Sequence, residues 1–107
     1  DALHFHRSRC TLNELSGVPS QLLAALHLCD APVEIPSTVD GLIHAGRAER
    51  LYPGEGGIDL AGIVALMPDV VCGIEIPHLE RSRVLGSGEH LLRCLEAAKK
   101  YLAVHAL

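Results

Sequence analysis

Two short apolar runs decide most of what this chain can fold into. Residues 22–29 (Leu-Leu-Ala-Ala-Leu-His-Leu-Cys) and residues 70–76 (Val-Val-Cys-Gly-Ile-Glu-Ile) each have the length of one strand. The first is continuously apolar up to Asp30, as a strand buried on both faces should be. The second is rich in β-branched residues and is stopped by Pro77. Longer stretches with helical signals lie around both runs. Short strands alternating with helices are the mark of βα units and a parallel sheet, so the sequence reads as α/β.

The remaining segments fill in that plan. Residues 2–6 (Ala-Leu-His-Phe-His) read as the tail of a further strand. Thr11-Leu12-Asn13-Glu14 has the spacing of a capping box and opens a short helix ended near Gly17 and Pro19. Residues 31–58 form a long connection rich in Pro and Gly, within which Ser37-Thr38-Val39-Asp40 caps a helix through about Ala48. Pro53-Gly54-Glu55-Gly56-Gly57 is read as a tight turn, and Asp59 as the N-cap of a helix through Met67. A last helix is expected from about Ser87 to Val104, with Leu91, Leu92, Leu95, Ala98, Tyr101 and Leu102 as its apolar stripe.

Composition narrows the function classes. The 107 residues are 49% apolar and carry a net charge of −4, from 9 basic and 13 acidic side chains. That balance offers no basic groove for nucleic acid. No apolar run reaches the roughly 18 residues that cross a membrane. The four cysteines include no Cys-x-x-Cys pair, so they are read as reduced thiols in a cytoplasmic protein, with Cys29, Cys72 and Cys94 acting as small hydrophobes. Seven histidines form the one compositional feature that leans toward chemistry.

Each strand-like segment ends in residues that can ligate a metal. The first offers Asp1 and His4, the second His27 and Asp30, the third Glu75. In parallel α/β folds, active sites assemble at the carboxyl ends of strands. An oxygen, a nitrogen and an oxygen from Asp1, His27 and Glu75 suit Mn²⁺, Mg²⁺, Co²⁺ or Zn²⁺. Taken singly, His27 could be a hydrogen-bonded core histidine and Glu75 the partner of Arg50 in a buried ion pair. Together, at three strand ends, they point to a metal. Gly54-x-Gly56-Gly57 follows a loop and not a strand, so it is a turn before it is a phosphate cradle. Arg81 and Arg83 are read as a solvated cluster with Glu80 before they are read as phosphate ligands.

Asp1-x-x-His4, then Leu26-His27-Leu28-Cys29-Asp30, then Arg50-x-x-Pro53-Gly54-x-Gly56-x-Ile58-Asp59, then Ile74-Glu75-Ile76-Pro77 resemble, in order and spacing, the last three strands of the xylose-isomerase-like TIM-barrel superfamily. That superfamily includes sugar epimerases, inosose and dehydroshikimate dehydratases, and endonuclease IV. The resemblance implies that residues 1–107 are the C-terminal part, about three βα units, of a TIM (β/α)₈ barrel. A whole barrel takes about 250 residues, and this chain is less than half of one. Its first residue, Asp rather than Met, fits a fragment or a processed product.

The resemblance also implies roles. Asp1, His27 and Glu75 match three of the family's four metal ligands, the fourth being a Glu on a strand outside these residues. Glu75 would also move a proton, His4 and Arg50 would contact the substrate, and Asp30 would orient a ligand or a substrate hydroxyl. The activity implied is a metal-dependent isomerase or epimerase of a small sugar or sugar phosphate, needing one divalent ion. A dehydratase, or a barrel fragment that no longer catalyses, are the alternatives. Endonuclease IV chemistry is disfavoured, because Ala48 and Arg50 stand where that enzyme has further zinc ligands. By itself the piece is expected to be inactive and, with open sheet edges, to associate with copies of itself.

Overall fold

The computed structural model describes residues 1–105. In chain order it holds α1 (Ala2–Arg7), α2 (Leu12–Ser16), a short 3₁₀ turn (Ser20–Leu22), β1 (Ala25–Leu28), α3 (Val39–Ala48), α4 (Leu60–Leu66), β2 (Val71–Ile74), α5 (Leu79–Leu85) and α6 (Ser87–His105). The two strands pair in parallel, with Ala25, Leu26, His27 and Leu28 opposite Val71, Cys72, Gly73 and Ile74. The structure is therefore mixed α/β around a two-stranded parallel sheet, and the connection between the strands passes through α3 and α4, as parallel pairing requires.

The expected strand at residues 2–6 is instead helix α1. The alternation of Ala-Leu-His-Phe-His suggests a period of two, but Asp1 prevails as an N-cap. Its Oδ1 accepts from the amides of Leu3 and His4 at 2.9 and 3.2 Å, satisfying two donors that a helix start leaves open. Ala2 and Leu3 are buried against the sheet. The expected run 22–29 contracts to β1, because Ser20–Leu22 coils into the 3₁₀ turn first.

Other caps fall where the sequence puts them. Thr11 and Glu14 form both halves of a capping box on α2, Thr38 caps α3 and Asp59 caps α4. Helix α5 follows closely after Pro77. It is opened by His78, whose Nδ1 accepts the Arg81 amide at 3.2 Å.

The core lies between one sheet face and helices α4 and α6. Leu26 and Leu28 of β1 join Leu60, Ile63 and Val64 of α4 and Cys94 and Ala98 of α6. Full burial of a side chain such as Leu28 or Leu60 contributes about 2 kcal/mol. The α6 stripe differs from expectation. The buried positions are His90, Cys94 and Ala98, whereas Leu91, Leu92 and Leu95 are exposed. His90 enters the core because its Nε2 meets the Ile76 carbonyl oxygen at 2.8 Å. Cys72 is exposed rather than packed inside, and all four cysteines are free thiols.

The other sheet face is open. Ala25, His27 and Val71 are exposed there, Val71 at 73%. No described helix is long and apolar enough to cross a membrane.

Candidate functional site

The carboxyl ends of β1 and β2 are joined by the segment Glu49–Leu51. Asp30 and Leu51 exchange backbone hydrogen bonds at 2.9 Å, and the Arg50 amide donates to the Pro77 carbonyl at 3.1 Å. This brace sets Arg50 between the two strand ends, and the residue is 5% exposed.

Arg50 is the centre of the site. Its Nε donates to the Gly46 carbonyl at 2.8 Å, and its Nη1 donates to Asp1 Oδ2 at 2.9 Å and to the Glu75 carbonyl at 3.3 Å. Nη1 also lies 3.7 Å from Cys29 Sγ. Burial pushes the Cys29 thiol pKa up, and the neighbouring guanidinium only partly offsets this. Asp1 is thus both helix cap and ion-pair partner, with a side chain only 15% exposed.

His27 stands on the open sheet face with its Nδ1 3.8 Å from Asp1 Oδ2. Glu75 comes one residue after β2, and its amide extends the ladder to the Leu28 carbonyl at 3.2 Å. By strand alternation it falls on the same side as His27, whose register partner is Gly73. Glu75 is exposed, so it needs no buried counter-charge.

A cavity of about 660 Å³ opens at this end of the sheet. His4 and Arg7 of α1, Gly46 and Arg47 of α3, Arg50 and Glu75 are in its wall. Three residues expected in the site from sequence, His4, Arg50 and Glu75, therefore share one cavity, while Asp1, bonded to Arg50, and His27 approach each other outside its lining. The Arg50 Nη2 makes no hydrogen bond within the described residues, which leaves it available to a ligand.

Asp30 has a different task from the one expected of it. It is 1% exposed. Its Oδ1 accepts from the amides of Ala31 and Ile58 at 2.9 and 3.2 Å, and its Oδ2 from Gly54 at 2.9 Å. These bonds hold the 53–58 turn, where Gly54 has φ +95° and Gly56 packs on the Ala31 carbonyl with no room for a Cβ. Asp30 acts on the site only through the brace that carries Arg50.

The donor chemistry of Asp1 and His27 suits a divalent ion, an oxygen and a nitrogen from two elements with the His27 side chain 54% exposed. Among the described residues, however, no three His, Cys, Asp or Glu side chains gather as one group. Glu75 is not drawn in with the other two, and the Arg50 guanidinium already holds the Asp1 oxygen that a cation would use.

Sequence reasoning missed Arg7 and Arg47. Arg7 lies three residues after His4, on the same side of α1, a relation invisible while residues 2–6 are read as a strand. Burial lowers the Arg7 pKa, and its Nε–H is buried with no acceptor. Arg81 and Arg83, the sequence candidates for an anion, lie elsewhere and are paired with Glu55 and Glu80.

One solved structure, that of the IolI protein with a bound zinc atom, superposes on this chain with a TM-score of 0.68 at 21% identity. The match takes in 99% of this chain and 36% of IolI. The likeness is one of fold. IolI is a TIM-barrel protein, and this chain spans about a third of its length. No protein-family model matches, and no curated protein does.

Proposed function

We propose that this chain is the C-terminal part of a TIM-barrel isomerase or epimerase that acts on a small sugar with the help of one divalent metal. The observation that carries the reading is the convergence of His4, Arg50 and Glu75 on one cavity at the carboxyl ends of parallel strands, with Asp1 and His27 3.8 Å apart beside Arg50. The fold shared with IolI supports it.

Asp1 and His27 would hold the metal, and Glu75 would join them on the same sheet face. A divalent ion held there would supply polarisation of a substrate carbonyl. Glu75, in the wall of the cavity and exposed, is placed to take a proton from a carbon next to that carbonyl and to return it. Arg50 Nη2 and His4 grip substrate oxygens, while the bond from Arg50 Nε to the Gly46 carbonyl keeps the guanidinium in place when Asp1 turns to the metal. In these residues alone, metal binding is weak, because only two donors are brought together and one already serves Arg50.

The test is hydrogen exchange in D₂O by the whole protein that carries these residues, with Mg²⁺ or Mn²⁺ and a panel of ketoses and cyclic polyol ketones. Loss of a single C–H proton signal next to the carbonyl, abolished in Glu75→Gln, is the expected result. A new vinyl signal would replace the isomerase with a dehydratase. No exchange with any substrate would leave a barrel that does not catalyse, and the reading fails.

A further inference from the structure

The distribution of arginines singles out one wall of the 660 Å³ cavity. Arg50, Arg81, Arg83 and Arg93 each have a carboxylate at ion-pair distance: Asp1, Glu55, Glu80 and Glu89 respectively. Among the described residues, Arg7, Arg9 and Arg47 have none. Two of those three, Arg7 and Arg47, line the same cavity, from α1 and α3. Glu75 is the one acid in that wall. A chain with a net charge of −4 thus concentrates three guanidiniums in one concavity and leaves two of them without a carboxylate at ion-pair distance, with Glu34 acting on Arg7 from farther off. Arg7 is also fixed, with Nη1 donating to the Pro32 carbonyl at 2.8 Å. Guanidiniums that line one concavity without a carboxylate at ion-pair distance favour an oxyanion there, because charge-assisted hydrogen bonds are the strong ones.

We propose that Arg7 and Arg47 form a subsite for a phosphate group, so that the substrate is a sugar phosphate. Its phosphate sits between α1 and α3, and its carbon skeleton extends toward Arg50 and Glu75. A phosphomonoester matches the site better than a carboxylate. It carries a charge of about −1.5 to −2 at neutral pH and three acceptor oxygens for two guanidinium forks. The proposal rests on the sugar-active reading above for the skeleton, whereas the anion subsite itself is independent of any metal or catalysis.

The experiment is a calorimetric titration of the whole protein that carries these residues, without metal and at low salt, with fructose 6-phosphate, inorganic phosphate and fructose. Both phosphates are expected to bind and fructose is not. Arg47→Ala is expected to weaken phosphate binding by about tenfold, the size of one lost charge-assisted hydrogen bond. Arg47 is exposed on α3, so the variant keeps its fold, as circular dichroism will verify. Arg83→Ala removes an arginine already paired with Glu80 and is expected to change nothing. Arg7→Lys, which keeps the charge and loses the fork, provides a second reading at the other wall and is expected to weaken binding. Equal affinity in Arg47→Ala and the unaltered chain would overturn the proposal, as would an equal loss in Arg83→Ala or tighter binding of acetate than of phosphate. Phosphate binding without D₂O exchange upholds the subsite and defeats the catalytic reading. Exchange with neutral sugars and no phosphate binding does the reverse.

Discussion

Replacing Asp30 by Ala removes one buried carboxylate that accepts three backbone amides. The bonds from Ala31 and Ile58 are buried, and the one from Gly54 is partly buried. Each amide left without a partner costs about 1–3 kcal/mol, with the lower figure fitting Gly54, where water can replace the carboxylate. The sum is about 4 kcal/mol, against the roughly 5–15 kcal/mol that holds a whole domain together. Asp30→Asn costs about half as much. Its single carbonyl can serve Ala31 and Ile58, while its amide nitrogen is turned against the Gly54 N–H. Urea unfolding followed by circular dichroism, with an unchanged slope, measures both. Asp59→Ala, which removes an exposed cap with one bond to the Gly62 amide, provides the scale at about 1 kcal/mol. Amide hydrogen exchange at Gly54 and Ile58 should accelerate first. If Asp30→Ala loses less than about 1 kcal/mol, the buried carboxylate does not hold the turn.

Two further predictions concern titratable groups. Burial, and after it the Arg81 charge, lowers the His78 pKa, with His90 acting the same way and Glu49 and Glu55 opposing. The unfolded chain therefore takes up this proton more readily. The stability contributed by neutral His78 is complete above its ordinary value of about 6.5 and is lost as pH falls through the lower folded value. Protonation turns the Nδ1 acceptor into a donor facing the Arg81 amide, so α5 should fray on acidification, and His78→Asn should remove that dependence while keeping a cap. Thiol labelling should divide the cysteines in two. Cys10 and Cys72 are exposed and react at once, whereas Cys29 and Cys94 are buried, have thiol pKa values raised by that burial, and react only on unfolding. Mass spectrometry after brief labelling checks this, and early modification of Cys94 would contradict the packing of α6 on β2.

What could be read from the sequence was governed by the range of the interactions involved. Caps depend on residues three apart, and Thr11, Thr38 and Asp59 were each legible as such. The parallel pairing of β1 and β2 followed from their composition and from the helices between them. Residues 2–6 were misread because alternation over five residues fits either period, and only the Asp1 carboxylate, itself expected to bind metal, tips the balance toward helix. For Arg50, proximity to Asp1 and Glu75 depends on the brace between strand ends, which sequence patterns do not display. The assignment of His4, Arg50 and Glu75 to one site came through family resemblance; the structure places the three in the wall of one cavity without testing their roles. Arg7 and Arg47 went unseen because nothing local marks an arginine as lacking a partner.

Arg50 touches Asp1 at the start of α1, Gly46 in α3, Glu75 just after β2 and Cys29 just after β1. One guanidinium therefore fastens four pieces of chain that are far apart in sequence. Whatever draws on that guanidinium from the cavity also draws on those four attachments, so site occupancy and the integrity of the fold are thermodynamically linked. A ligand that Arg50 holds without releasing Asp1 raises the melting temperature. One that competes for Asp1, as a divalent ion must, trades fastening for binding. Evolution of a new specificity in this cavity is accordingly freer at Arg47, on the rim, than at Arg50, where every change of ligand is also a change of architecture.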